Sequence, residues 1–156
     1  NGGRDAGASQ PHKHLQLVPR ALSPGETALP IEALFDRSAV APALPFRHAF
    51  AWLDPALAAN PAAAAAAALQ RYRALLGQVG LAPASAGRED RQAGPYNLLL
   101  TRTWMLLVPR RMERFETISV NALGFAGSLF VRDSATLDLV RHRGPFTVLR
   151  EVAVPA

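Results

Sequence analysis

Residues 12–18, His-Lys-His-Leu-Gln-Leu-Val, alternate with a period of two. His12, His14, Gln16 and Val18 fall on one face and Lys13, Leu15 and Leu17 on the other, which predicts a strand ended by Pro19. Residues 46–53, Phe-Arg-His-Ala-Phe-Ala-Trp-Leu, alternate the same way and predict a second strand. Between them, residues 19–45 are proline-rich and read as an irregular excursion with a short helical turn near Pro30–Phe35. Asn60-Pro61 then opens a helix, with Asn as N-cap and Pro in the first helical position. Seven alanines, Leu69, Tyr72, Leu75, Leu76 and Val79 carry that helix to Gly80, a good stop. After a polar loop over 82–95, the apolar runs 96–101 and 104–108 predict a hairpin around Arg102-Thr103, although the turn lacks Gly and Asn. The small-residue apolar stretch 117–131 fits helix and strand alike. Ser134–His142, capped by Asp133 or Ser134, and Pro145–Val152 read as short closing helices. The order strand, strand, helix, strand, strand, helices predicts an α+β fold, with an antiparallel sheet and helices packed on one side.

The chain has 156 residues, the size of one domain, and at 49% hydrophobic and 19% charged it can bury a core. Cysteine is absent, which excludes disulfides, thiolate metal sites and a cysteine nucleophile, and fits a reducing cytoplasmic location. No apolar stretch is long enough to span a membrane, and the first residues do not read as a signal peptide. The net charge of +5 comes almost wholly from arginine, Lys13 being the only lysine. Guanidinium groups suit phosphate, but a GC-rich coding sequence alone favours Ala, Arg, Gly and Pro. With no evenly spaced pattern of basic and aromatic residues, neither a nucleic-acid nor a membrane partner is expected. The chain starts Asn-Gly-Gly, inside what reads as a functional loop, so an N-terminal portion is expected to precede it.

The His12–Gln16 stretch carries the chemistry. Two imidazoles and a carboxamide share one strand face at about 7 Å spacing, with no hydrophobic reason to converge. Upstream lies a loop with three glycines and Ser9, able to aim backbone N–H groups at an anion. An imidazole beside such a cradle can attack phosphorus and hold the transferred group as a phosphoramidate. The spacing leaves two other readings open: alternating histidines also suit zinc, and a satisfied polar strand needs no function at all. His48 and His142 are too distant in sequence to supply an evident third ligand. Trp52 and Trp104 lie in apolar runs and read as core.

The run N-x-G-x-x-x-G-x-S-x-x-H-x-H-x-Q, from Asn1 to Gln16, resembles the active-site motif of the histidine-triad superfamily, in the branch with Gln at the third position. That branch holds galactose-1-phosphate uridylyltransferase and the ATP adenylyltransferases, also called diadenosine tetraphosphate phosphorylases. The stretches Tyr96-Asn-Leu-Leu-Leu-Thr-Arg-Thr-Trp-Met-Leu-Leu-Val-Pro-Arg110 and Ser119-Val-Asn-Ala-Leu-Gly-Phe-Ala-Gly127 are similar to the C-terminal domain of the phosphorylases. Lys13 between the histidines, and the lack of cysteine, set the chain apart from the uridylyltransferases. The resemblance implies a histidine-triad-like sheet. Residues 1–45 would hold the active-site loop and strand of the catalytic domain with its irregular excursion, and 46–156 would complete the domain.

It further implies that His14 is the nucleophile, that His12 supports it and that Gln16 contacts the α-phosphate. Asn1 and the Gly7-Ala8-Ser9-Gln10 segment would bind phosphate oxygens. Thr101, Arg102 and Thr103 would touch substrate, with Met105 and Arg110 as weaker candidates. The implied reaction is phosphorolysis of diadenosine tetraphosphate to ATP and ADP through adenylyl-His14. Phosphate is the co-substrate, a divalent cation such as Mg²⁺ accompanies the polyphosphate, and no organic cofactor or metal-ligating residue is implied. A sugar-1-phosphate uridylyltransferase and a non-catalytic nucleotide-binding module are the alternatives.

Overall fold

Six consecutive apolar residues, Trp104–Pro109, form a strand buried along its whole length, the signature of a strand covered on both faces. The computed structural model describes residues 1–10, 15–21, 25, 27–83 and 92–156 of the chain. In chain order its regular elements are β1 (Ala49–Trp52), α1 (Pro61–Gln78), β2 (Tyr96–Leu100), β3 (Trp104–Pro109), β4 (Arg114–Phe115), β5 (Ile118–Ser119), α2 (Ala122–Phe125), α3 (Ser134–Arg143) and α4 (Pro145–Val152). Short 3-10 turns cover Arg4–Ala6, Pro30–Leu34 and Pro55–Ala59.

The sheet is antiparallel, in the order β1-β3-β2. Trp52 pairs with Trp104 across one ladder, and Tyr96 pairs with Pro109 and Leu100 with Met105 across the other. Side chains of β3 alternate between two cores. Trp104, Leu106 and Val108 pack with Phe46, Phe50, Phe125 and the α4 residues Val148, Leu149 and Val152. Met105 and Leu107 pack with Ala49, Tyr96 and the α1 residues Leu75, Leu76 and Val79. A slip of one residue would push the Trp104 indole into the smaller core, so the two unequal faces fix the register. Each fully buried leucine contributes about 2 kcal/mol.

The α+β class and the antiparallel sheet agree with the sequence reading. The helices, expected on one side, divide between both: α1 covers one face, and α2 and α4 the other. Two separate apolar sets on β3 require two covers. The first predicted strand is corrected over residues 15–18, its residues 12–14 lying outside the described residues. Residues 15–18 carry no strand pairing, and Leu15 and Leu17 are 88% and 103% exposed. Alternation gives a segment two faces, but a strand exists only where an edge pairs with it. The second strand is trimmed to Ala49–Trp52.

Local signals explain the rest. The Asn60 side chain accepts from Ala63 N at 3.2 Å, capping α1 as expected. Asp133 caps α3, accepting from Thr136 N at 2.8 Å. The unsettled stretch 117–131 resolves into β5 and α2. Gly127, with φ +101°, lets the chain pass so close to Pro30 that an added Cβ would lie 2.6 Å from that ring. The turn at Pro30–Leu34 is thereby held on the core, and Glu32 accepts from Trp104 Nε1 at 2.6 Å. Trp104 is core, as its apolar run implied, and Trp52 is partly buried against the same core, with the Arg37 guanidinium 5.0 Å from its ring centroid. No helix among the described residues is long and apolar enough to cross a membrane.

Candidate functional site

The glycine-rich segment folds as a closed loop seated on the Tyr96 end of β2. Gly2 and Tyr96 exchange backbone hydrogen bonds in both directions, at 2.7 and 3.0 Å. The 3-10 turn at Arg4–Ala6 ends in Gly7, which has a left-handed φ of +78°. A Cβ there would meet the Val120 carbonyl oxygen at 2.7 Å, so both conformation and space demand glycine. The loop's amides turn inward: Ala6 N and Ala8 N donate to Gly3 O at 3.1 and 3.3 Å, and Gly7 N to Arg4 O at 2.9 Å. The amide cradle expected from Gly7 and Ala8 is therefore used up within the loop. Ser9 and Gln10 are exposed.

Beneath the loop lies a buried polar relay. The Asn1 carboxamide oxygen accepts from Asn97 Nδ2 at 2.6 Å and from Ala122 N at 2.9 Å, while its Nδ2 donates to Gly7 O at 3.0 Å. Asn97 Nδ2 also donates to Ala6 O at 2.9 Å, and Asn97 Oδ1 accepts from Arg110 Nη1. Arg110 is 2% exposed. Its Nη1 donates to Val120 O at 2.8 Å and Ala6 O at 3.5 Å, its Nη2 to Met112 O at 2.8 Å and Glu113 O at 3.0 Å, and its Nε to Val152 O at 3.1 Å. Burial pulls its pKa down to about 10, against the opposing pull of the Glu113 and Asp5 carboxylates, so it stays charged at neutral pH.

Three of the expected ligand residues are thus engaged within the protein itself. Arg110 is a structural hub whose donors are all committed to the protein. Asn1 holds the loop closed, its oxygen carrying two hydrogen bonds. Met105 is 1% exposed and packs in the α1 core.

Thr101, Arg102 and Thr103 form the tight turn of the β2–β3 hairpin. The Thr101 hydroxyl supplies what a Gly or Asn would otherwise supply. It accepts from Thr103 N at 3.2 Å and Trp104 N at 3.1 Å, and Thr101 N donates to Trp104 O at 2.9 Å. Arg102 is exposed. This turn sits at the opposite end of β2 from Gly2, about 17 Å away for five extended residues. The structure thus brings Asn1 and Gly7 together with Arg110, and does not bring them to Thr101–Thr103.

His12 and His14, with Lys13 between them, lie outside the described residues. Gln16 is exposed. His48 is occupied by the Phe46 and Pro42 carbonyls, at 2.8 and 3.0 Å, and His142 is exposed on α3. Sequence reasoning missed Asn97 and Asn121. Asn97 is a carboxamide inside an apolar strand, a signal that was present in Tyr96-Asn-Leu-Leu-Leu. Asn121 caps α2 by accepting from Leu123 N at 3.0 Å.

Residues 42–155 match the model of the ATP adenylyltransferase C-terminal domain, and residues 1–37 that of the Ap4A phosphorylase N-terminal domain. Among solved structures, the yeast Ap4A phosphorylase Apa2 is similar at 21% identity and a TM-score of 0.62, covering 98% of this chain and 54% of that one. The same yeast protein in complex with AMP gives 20% identity and a TM-score of 0.56, with the same coverage. The chain spans about half the length of that relative, and identity at this level shows a shared fold. A search of curated proteins finds no match.

Proposed function

The chain belongs to the ATP adenylyltransferase family, and from that premise we propose that it performs the phosphorolysis of diadenosine tetraphosphate to ATP and ADP, with His14 as the nucleophile. One observation carries the reading. The full Asn1–Gln16 motif lies within the residues matched by the Ap4A phosphorylase N-terminal domain and is joined directly to the adenylyltransferase C-terminal domain. The AMP complex of the yeast relative supports a nucleotide as ligand of this fold.

In the proposed first step a His14 ring nitrogen bonds to the α-phosphorus as the bond from that phosphorus to the bridging oxygen breaks. The electron pair leaves on ATP, and AMP remains on the imidazole. A phosphate oxygen then attacks the same phosphorus, the P–N bond breaks, and the imidazole recovers its electron pair as ADP departs. His12 orients the His14 ring, and Gln16 contacts the α-phosphate. Ser9 and Gln10, exposed beside the anchored loop, are the members of their segment left to meet phosphate oxygens. Both steps are displacements at phosphorus, so positioning and charge neutralisation supply most of the acceleration.

Among the described residues no group of three or more His, Cys, Asp or Glu side chains could hold a metal ion. In this proposal a divalent cation arrives with the polyphosphate as part of the substrate, held largely by phosphate oxygens and water. A cytoplasmic setting belongs to the same proposal.

The test is mass spectrometry of the full-length protein incubated with diadenosine tetraphosphate without phosphate. AMP should appear on the peptide holding His14, with ATP released in equal amount, and His14→Ala should abolish both. Added phosphate should discharge the adduct as ADP. UMP trapped from a sugar nucleotide, with no AMP from the dinucleotide, would move the chain to the uridylyl chemistry. Nucleotide binding without adduct or turnover would make it a binding module.

A further inference from the structure

β1 is an edge strand: β3 pairs with one side of it, and no described strand pairs with the other. The register fixes which of its backbone groups face out. Ala51 pairs with Met105, and Leu53 N donates to Thr103 O at 2.8 Å, so Ala49, Ala51 and Leu53 turn their backbone groups toward β3. The N–H and C=O groups of Phe50 and Trp52 therefore point away from the sheet, and no described residue hydrogen-bonds them. Open edges are commonly blunted by a charge, a proline or a covering segment. Phe50, Ala51 and Trp52 include neither charge nor proline, and they line a groove of about 450 Å³. One wall of the groove is the α1 stripe of Arg71, Ala74, Leu75 and Gln78, spaced i, i+3, i+4, i+7. The other is the loop 38–40, tied to the side of the edge: Asp36 Oδ1 accepts from Ser38 N and Oγ at 2.8 and 2.7 Å, and Trp52 Nε1 donates to Ala39 O at 3.1 Å. The charge in the groove is of one sign. Arg71 is exposed and has no ion-pair or hydrogen-bond partner among the described residues, and no acidic side chain lines the groove. The Arg37 guanidinium lies close by, over the Trp52 ring. Val40, almost fully exposed, adds an apolar contact on the loop side.

We propose that the β1 edge takes an extended, acidic segment of a partner protein, which adds to the sheet as a further strand beside Phe50 and Trp52. Two amides and two carbonyls repeating at about 7 Å match the two-residue repeat of an extended backbone. In strand addition of this kind the backbone bonds give affinity and the flanking side chains choose the sequence. Here Arg71, with Arg37 behind it, selects carboxylates, and Val40 and the Trp52 ring take an apolar side chain between them. The groove lies beyond the phosphorolysis reading and does not depend on it.

The test uses the full-length protein and a capped peptide of alternating valine and glutamate, titrated by calorimetry and followed by residue-level amide exchange. Bound peptide should slow exchange at Phe50 and Trp52 about tenfold or more, with Ala51, already bonded to β3, unchanged. Arg71→Glu, an exposed helix position, should weaken the peptide about fivefold to tenfold and should favour a matching peptide with lysine in place of glutamate. Arg71→Gln should fall between the two. N-methylation of alternate peptide amides should abolish binding in one set and spare it in the other, since only every second N–H faces β1. No binding up to about 1 mM, or equal affinity for the Arg71→Glu protein, would overturn the proposal. So would amides of Phe50 and Trp52 that are protected before any peptide is added, because the edge would then be filled by the protein itself. Protection that grows with protein concentration alone would give the groove to a second copy of this chain. Displacement of the peptide by diadenosine tetraphosphate would give it to the nucleotide, and either result ends the acidic-partner reading.

Discussion

The two ends of the β2–β3 hairpin each carry an arginine and hydrogen-bonding side chains, yet they are put to opposite uses. At the Tyr96–Pro109 end, Arg110 and Asn97 are buried and their partners come from the N-terminal loop, from Val120 and from Val152. At the other end, Thr101 satisfies only its own turn, and Arg102 stands in solvent. The difference lies in burial and in sequence separation. A buried polar group has to be matched within the protein, and when its partners are remote it ties segments together. An exposed one is matched by water and remains open to a ligand. Residue type does not separate the two cases.

Breaking the buried end should cost the most. Arg110→Ala leaves the Val120 and Met112 carbonyls and the Asn97 oxygen without their donor, and takes one of two donors from the carbonyls of Ala6, Glu113 and Val152. Loss of about 3–5 kcal/mol is expected, the range for removing one partner of a buried charged network. Urea denaturation followed by tryptophan fluorescence measures it directly, since Trp104 is core. Arg110→Lys should recover less than half, because an ammonium cannot reach carbonyls in so many directions. A loss under about 1 kcal/mol for the alanine variant would mean that water replaces the guanidinium at little cost, and the contrast between the two ends would disappear.

The exposed end should give a smaller and purely local effect. Thr101→Val keeps the β-branched shape but removes the oxygen that accepts from Thr103 N and Trp104 N. About 1 kcal/mol should be lost, since water reaches this turn, and Thr101→Ser should restore most of it. Equal melting curves for the valine and threonine forms would show that the turn holds without its hydroxyl.

The same contrast explains what could be read from the sequence. The Trp104–Val108 run, the Asn60-Pro61 helix start and the Pro30 turn were legible because each is decided by neighbours in sequence. The division of helices between two faces was not, because the order of elements does not say which face of β3 each one covers. Residues 12–18 show the opposite failure: a good alternating pattern with no edge paired to residues 15–18 in the described chain. At the site, resemblance supplied the motif, but it could not tell the exposed Ser9 and Gln10 from Gly7 and Ala8, whose amides close the loop. Nor could it tell Arg102 from Arg110, since exposure depends on the fold and is not written in the motif.

Arg102 gives the finest test of the contrast, because the two ends predict opposite pairings of stability and affinity. With no hydrogen bond, ion pair or ring contact in the described structure and an exposed side chain, Arg102→Ala should change stability by no more than about 0.5 kcal/mol. If the guanidinium is kept free for a polyphosphate, the same change should weaken diadenosine tetraphosphate binding about fivefold to tenfold, in line with one charge-assisted contact in water. Titration calorimetry with the dinucleotide, beside a thermal melt of the same preparation, reads both numbers. An affinity equal to that of the parent would reduce Arg102 to a solvated turn residue and leave the hairpin tip without a part in binding. A fall in stability as large as the fall in affinity would show that the tip, like the buried end, serves the fold first.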